Sequence, residues 1–160
     1  MEGVDETVEV ISLTDKPEYT KVVADWIYTE FIENIRRGIS YSRIMDSLKN
    51  RKKDEIPCTL IAVESNICIG TVSLFENDLK KRDDLTPWLG ALYVSEAYRK
   101  KGIAKVLIGE VSAIAKKLGY SRLYLRTEHT AEYYKKLGWQ SIYKTVDEFE
   151  LATEVFMKDI

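Results

Sequence analysis

Val94-Ser95-Glu96-Ala97-Tyr98-Arg99-Lys100-Lys101-Gly102-Ile103-Ala104 lies between an apolar run and an amphipathic one. Residues 88–94 are a short run rich in aromatic and branched side chains, the pattern of a buried strand. Downstream, Ile103, Leu107, Val111, Ile114 and Leu118 recur at spacings of four and three, which predicts a helix with one face on a sheet, closed by Gly119 at C′. The stretch therefore reads as a strand, a basic glycine-containing turn and a helix N-terminus. Free N–H groups and the positive end of the helix dipole converge there, an arrangement that suits a phosphate, and Arg99, Lys100 and Lys101 add charge. By itself such a turn is common, and basic residues on it are ordinarily solvated. Neither G-x-x-x-x-G-K-S/T nor G-x-G-x-x-G occurs anywhere in the chain, which removes the main support for a Walker-type or dinucleotide-binding turn.

The chain has 160 residues, enough for one domain (1–160) with a sizeable core and too few for a second. With 24 Lys and Arg against 26 Asp and Glu, its net charge of −2 predicts no general affinity for nucleic acid, and no basic stripe lies beyond the turn. A small molecule or peptide is the expected partner, with a homodimer left open. No apolar run approaches the roughly 18 residues of a membrane span, and the acidic residues 1–6 differ from a secretory leader. No membrane association and a cytoplasmic location are expected. Cys58 and Cys68, on neighbouring predicted strands without C-x-x-C spacing, read as buried thiols. One histidine argues against a histidine-built metal centre.

Residues 8–13 alternate like a first strand, and Thr14-Asp15-Lys16-Pro17-Glu18 provides an acceptor side chain, an early proline and a first-turn glutamate for a helix start. Tyr19, Val22, Val23, Trp26, Ile27 and Phe31 supply that helix's apolar face until Gly38 breaks it, and Tyr41, Ile44, Met45 and Leu48 mark a second helix. Residues 58–63 and 67–75 are apolar runs around Glu64-Ser65-Asn66, a hairpin of central strands. Residues 76–84 read as a solvated loop or a cover over a binding mouth, and residues 140–145 and 154–157 as two last strands joined by an acidic turn.

What remains of the central stretch is R-x-x-G-x-A, carried by Arg99, Gly102 and Ala104 after a hydrophobic strand. It resembles the pyrophosphate-binding loop of the GNAT superfamily, whose members move an acetyl group from acetyl-CoA to an amine. Leu123-Tyr124-Leu125-Arg126-Thr127 and Ala131-Glu132-Tyr133-Tyr134-Lys135-Lys136-Leu137-Gly138-Trp139 resemble the family's next strand and tyrosine-bearing helix. Residues 88–139 carry the resemblance, residues 58–75 more loosely, and the first fifty only in the order of their elements. The resemblance implies an α/β domain of GNAT-like fold, with a mixed, mainly antiparallel sheet of about seven strands and about four helices. It also implies acetyl-CoA as co-substrate, no metal, and two strands that splay apart after Val94 and from Leu123. Pantetheine is then expected against the main chain of Leu92, Tyr93 and Val94, and pyrophosphate on Lys100, Lys101, Gly102, Ile103, Ala104 and Lys105, with Arg99 beside them. Gly102 and Ala104 keep side chains out of the way.

Transfer needs a neutral amine, stabilisation of the charge developing on the thioester oxygen, and a proton for the departing thiolate. The resemblance assigns the oxyanion to a backbone N–H near Tyr93 and the proton to Tyr134, four residues before Gly138; helix-face packing remains the plain reading of Tyr133. His129 is given no role. Two positions depart from the family: Thr127, counted among the cofactor-binding residues, stands where many members have an asparagine that contacts pantetheine, and Trp88 where some carry a base. Glu76 is the substitute base, with a loop-edge carboxylate as its alternative reading. The family's helical pair borders the acceptor, so Trp26, Glu30, Phe31, Glu33 and Tyr41 are candidates to line it, with core packing preferred for Trp26 and Phe31. Glu30, Glu33, Glu76, Asp78 and Glu128 are expected around an amine acceptor, which arrives as a cation. A non-catalytic acyl-CoA sensor or partner subunit and an unrelated nucleotide-binding α/β protein are the alternatives; the second leaves the tyrosine helix unexplained.

Overall fold

The computed structural model describes residues 7–160, so the acidic residues 1–6 lie outside the described residues. Strand β1 (Glu9–Ser12) passes through short 3-10 turns into α1 (Thr20–Ile27), which continues as a π-helical turn over Tyr28–Ile32. Ser12, rather than Thr14, supplies the accepting side chain before these turns, since its Oγ takes the N–H of Thr14. Ser40 caps α2 (Tyr41–Lys49) through the Arg43 N–H. The hairpin β2 (Cys58–Glu64) and β3 (Ile67–Phe75) turns at Ser65 and Asn66, both at positive φ, 51° and 65°, as a two-residue type I′ turn requires. Then come β4 (Trp88–Val94), α3 (Ile103–Lys117), β5 (Arg122–Thr127), α4 (Ala131–Lys136), β6 (Gln140–Val146) and β7 (Ala152–Asp159).

These strands form one seven-stranded sheet, ordered β1-β2-β3-β4-β5-β7-β6, in which only β4 and β5 run parallel. The mixed, mainly antiparallel sheet and four α-helices match the expected fold class. Alternate residues of β2 feed different cores, which explains its continuous apolar run. Leu60 and Ala62 pack beneath α3 with Ile103, Leu107 and Val111, while Ile61 and Val63 pack beneath α1 and α2 with Val23, Ile27 and Leu48. Leu118 departs from the predicted stripe. It is 40% exposed, because α3 has ended and Gly119 at φ +101° turns the chain away; Ile108 and Ala115 are buried instead. Cys58 and Cys68 are buried free thiols, and burial pushes both up to about 11. Among the described residues no helix is long and apolar enough to cross a membrane.

The irregularity that matters most lies in β4. Thr71 pairs with Tyr93 but Ser73 pairs with Gly90, so β4 carries an extra residue there, and Ala91 has φ +50°. On its other side β4 meets β5 at the single pair Trp88↔Tyr124. Beyond Trp88 the two strands part, and the β5-facing backbone groups of β4 have no ladder partner.

Candidate functional site

A cavity of about 1340 Å³ occupies this divergence and extends toward the π-helical turn and α2. At the α3 end the loop is shaped by two left-handed residues, Lys100 at φ +65° and Gly102 at φ +83°. A β-carbon on Gly102 would meet no protein atom within 4 Å, so the position needs glycine for its backbone conformation rather than for room inside the protein. The first internal bond of α3 runs from Val106 N–H to the Gly102 carbonyl at 3.1 Å, so the N–H groups of Ile103, Ala104 and Lys105 precede the first closed turn. Arg99 ties the loop to the strand: its Nε donates to the Val94 carbonyl at 2.8 Å and its guanidinium lies over the Tyr93 ring.

Of the residues expected to hold a cofactor, Leu92, Tyr93, Val94, Arg99, Lys100, Gly102, Ile103, Ala104, Lys105 and Thr127 line the cavity. Lys101 does not; its ammonium sits over the Tyr98 ring, 5.5 Å from the centroid. The Thr127 hydroxyl is taken up locally. It accepts the N–H groups of His129 and Thr130 at 3.3 and 3.0 Å and lies 2.6 Å from Thr130 Oγ1, so it shapes the β5–α4 turn that brings His129 to the cavity wall. Tyr134 reaches the cavity from α4 with 8% of its surface exposed. Its ring packs against Tyr133, Trp139 and Phe156, and burial, aided by Tyr133, raises its phenol well above the ordinary value.

Two of the expected acidic residues, Glu76 and Glu33, fall outside the cavity lining. Glu76 is exposed and absent from the cavity lining, because β3 ends at Phe75 and the chain turns outward. Asp78, two residues on, turns back into it: a β-carbon at Gly90 would lie 3.3 Å from Asp78 Oδ2 and 2.7 Å from Phe75 Cε2, so only glycine on β4 admits this approach. Burial pushes the Asp78 carboxyl up to about 6, against the pull of Arg126. Trp88 is fully buried and gives its indole N–H to the Leu85 carbonyl at 2.7 Å, a packing role. Of the helical-pair candidates, Glu30 and Phe31 line the cavity while Glu33 does not; Trp26 packs on Tyr93 and Tyr41 donates to Asp25 at 2.6 Å.

The profile of the acetyltransferase (GNAT) family matches residues 21–139. The chain belongs to the GNAT acetyltransferase family. No curated protein matches it by sequence. Among solved structures, an aminoglycoside 6′-N-acetyltransferase complexed with coenzyme A superposes with a TM-score of 0.74 at 15% identity, over 94% of this chain and 96% of that one. A GNAT acetyltransferase from Staphylococcus aureus gives 0.72 at 16%, over 96% and 99%. An aminoglycoside 6′-acetyltransferase type Ii gives 0.72 at 17%, over 96% of each chain. At these identities the likeness concerns the fold.

In this GNAT chain the far wall of the cavity is held by buried charges that no local pattern announces. Arg36, 8% exposed, donates to the Phe31 carbonyl and pairs with Glu128 at 3.2 Å and Asp147 at 3.4 Å. Arg126 pairs with Asp147 at 2.9 Å and with Asp78 at 3.6 Å. Asp147 also accepts the N–H groups of Phe149 and Leu151, at 2.8 and 2.9 Å. The network ties the loop after the π turn to the end of β5 and to the β6–β7 turn. Its partners stand up to 111 positions apart, so spacing in the sequence carries no trace of it.

Proposed function

We propose that this GNAT chain moves an acetyl group from acetyl-CoA to a primary amine of a small molecule or peptide by direct attack, with Tyr134 as general acid. The observation that carries the reading is one cavity whose wall holds the phosphate-suited loop, the unpaired edge of β4, Tyr134 and Asp78 together. The cavity fits acyl-CoA. Left-handed Lys100 and Gly102 turn backbone toward the α3 N-terminus for a pyrophosphate, and parted strands offer main-chain bonding to an extended pantetheine arm.

Bound acetyl-CoA supplies an activated thioester. The acceptor nitrogen attacks the carbonyl carbon as the carbon–sulfur bond breaks. Free N–H groups of β4 near the bulge stabilise charge on the carbonyl oxygen. Asp78, rather than the exposed Glu76, takes the proton that the nitrogen loses, and Tyr134 gives its phenolic proton to the thiolate. A phenol that holds its proton across the physiological range suits that role. Asp78 must be ionised to act, so kcat should rise as pH passes through about 6 and the rise should vanish in Asp78→Asn. Superimposable pH profiles for parent and variant would remove Asp78 from the mechanism.

Thiol release from acetyl-CoA with a panel of amino acids, peptides, simple amines and an aminoglycoside, the last suggested by the neighbours, tests the whole reading. At least one acceptor should turn over. Tight acetyl-CoA binding with no release from any amine would favour the sensor alternative. Gly102→Glu adds an L side chain at a left-handed position and an anion beside the pyrophosphate. It should stay folded by circular dichroism and weaken acetyl-CoA binding by about 10- to 100-fold. Parental affinity in calorimetry would refute the loop assignment.

A further inference from the structure

Three arginines line the half of the cavity away from the phosphate loop: Arg36, Arg51 and Arg126. Arg36 and Arg126 are neutralised by Glu128, Asp147 and Asp78. Arg51 forms no ion pair with any described carboxylate. Its guanidinium is nonetheless held in place: Nε donates to Thr59 Oγ1 at 2.9 Å, Nη1 donates to Ser47 Oγ and to the Ser47 carbonyl at 2.8 and 3.1 Å, and the plane lies over the Phe75 ring, 5.0 Å from its centroid. Among the described residues Nη2 has no hydrogen-bond acceptor. Burial lowers the group to about 10, which leaves it a cation at neutral pH. A cation taken partly out of water without an anion is costly, and Nη2, on a guanidinium fixed by Thr59 and Ser47, keeps both of its N–H donors for a carboxylate oxygen. The same Phe75 ring leads to the reaction side, since its Cδ2–Cε2 edge and Asp78 Oδ2 both lie against Gly90.

Building on the transferase reading, we infer that Arg51 binds an anionic group of the acceptor, so that the acceptor is an amphoteric molecule bearing a carboxylate as well as its amine. Asp78 and Arg51, both reached through Phe75, receive the amine end and the anionic end. The apolar ring between them contacts the connecting carbon chain.

Matched acceptors test this: 4-aminobutanoate with propylamine, 5-aminopentanoate with butylamine, and 6-aminohexanoate with pentylamine, each followed by thiol release from acetyl-CoA. In at least one pair the carboxylate member should have a kcat/KM at least about 10-fold higher, mainly through KM, the scale of one charge-assisted contact. Arg51→Gln should erase that preference, and Arg51→Lys, which keeps the charge but loses the guanidinium plane fixed by Thr59 and Ser47, should retain part of it. Equal use of both members in every pair by the parent, or a preference that survives in Arg51→Gln, overturns the inference while leaving acetyl transfer standing. Absence of release from every amine is instead the failure of the transferase reading. Arg51 is then judged by thermal shift in the presence of CoA: a rise in Tm with a carboxylate member that is lost in Arg51→Gln supports the anion site, and equal shifts with both members overturn it.

Discussion

Tyr134→Phe is expected to lower kcat by a factor on the order of 10² to 10⁴ while leaving the affinity for acetyl-CoA close to parental. The substitution removes one oxygen and little else. The ring that packs against Tyr133, Trp139 and Phe156 is retained, so α4 keeps its seat on the sheet. The hydroxyl makes no hydrogen bond to another described residue, so no buried partner is stranded by its loss. The predicted effect therefore falls on the proton delivered to the thiolate. Because burial raises the phenol far above neutrality, the parent should show no fall in kcat from Tyr134 ionisation below about pH 9. Steady-state kinetics at saturating substrates, with calorimetric binding of acetyl-CoA alongside, separates this from a packing role. A variant with parental kcat would mean that water or another group protonates the thiolate.

Asp147→Asn is expected to destabilise the fold by about 3–5 kcal/mol, the usual consequence of removing one partner from a buried ion network. The amide side chain would keep an oxygen for the N–H groups of Phe149 and Leu151, so the β6–β7 turn survives. What goes is the one fully buried carboxylate of the three that neutralise Arg36 and Arg126, whose side chains are only 8% and 10% exposed. Solvent cannot replace it there. For a chain of this size the loss corresponds to a fall in Tm on the order of 10 °C. Burial alone would raise the Asp147 carboxyl, but the N–H groups of Leu151 and Phe149 and the Arg126 guanidinium outweigh it and hold the group below the ordinary carboxylate range. The folded state thus binds this proton more weakly than the unfolded chain. The stabilisation is complete above the unfolded value, near pH 4, and is lost as pH falls through the lower folded value. The stability gap between parent and variant should accordingly be constant near neutrality and close below about pH 4. A gap that stays open in acid would assign the effect to packing rather than charge.

Strand and helix identity, the phosphate-suited turn and the family are legible in the sequence, because each depends on neighbours within a few residues. The stripe from Ile103 to Val111, the terminator Gly119, the two-residue turn at Ser65 and Asn66, and the R-x-x-G-x-A spacing are local consequences of helix period, backbone sterics and N–H geometry. Tyr134 is likewise placed on its helix by sequence alone. Which carboxylate of residues 76–84 enters the cavity is not legible there. Glu76 and Asp78 look alike in a charged run, and only the approach of the chain to Gly90 turns one outward and the other into the cavity. Likewise the fold gives Thr127, which lines the cavity, a turn-forming hydroxyl contact with His129 and Thr130 that its place in the sequence does not announce. The β4 bulge, the Arg36–Glu128–Asp147–Arg126 network and the uncompensated Arg51 belong to the tertiary structure alone. Each arises where segments far apart in the chain meet, and whether a charge is neutralised depends on which distant carboxylate lies within reach, a matter of sheet order and register rather than of residue type or period.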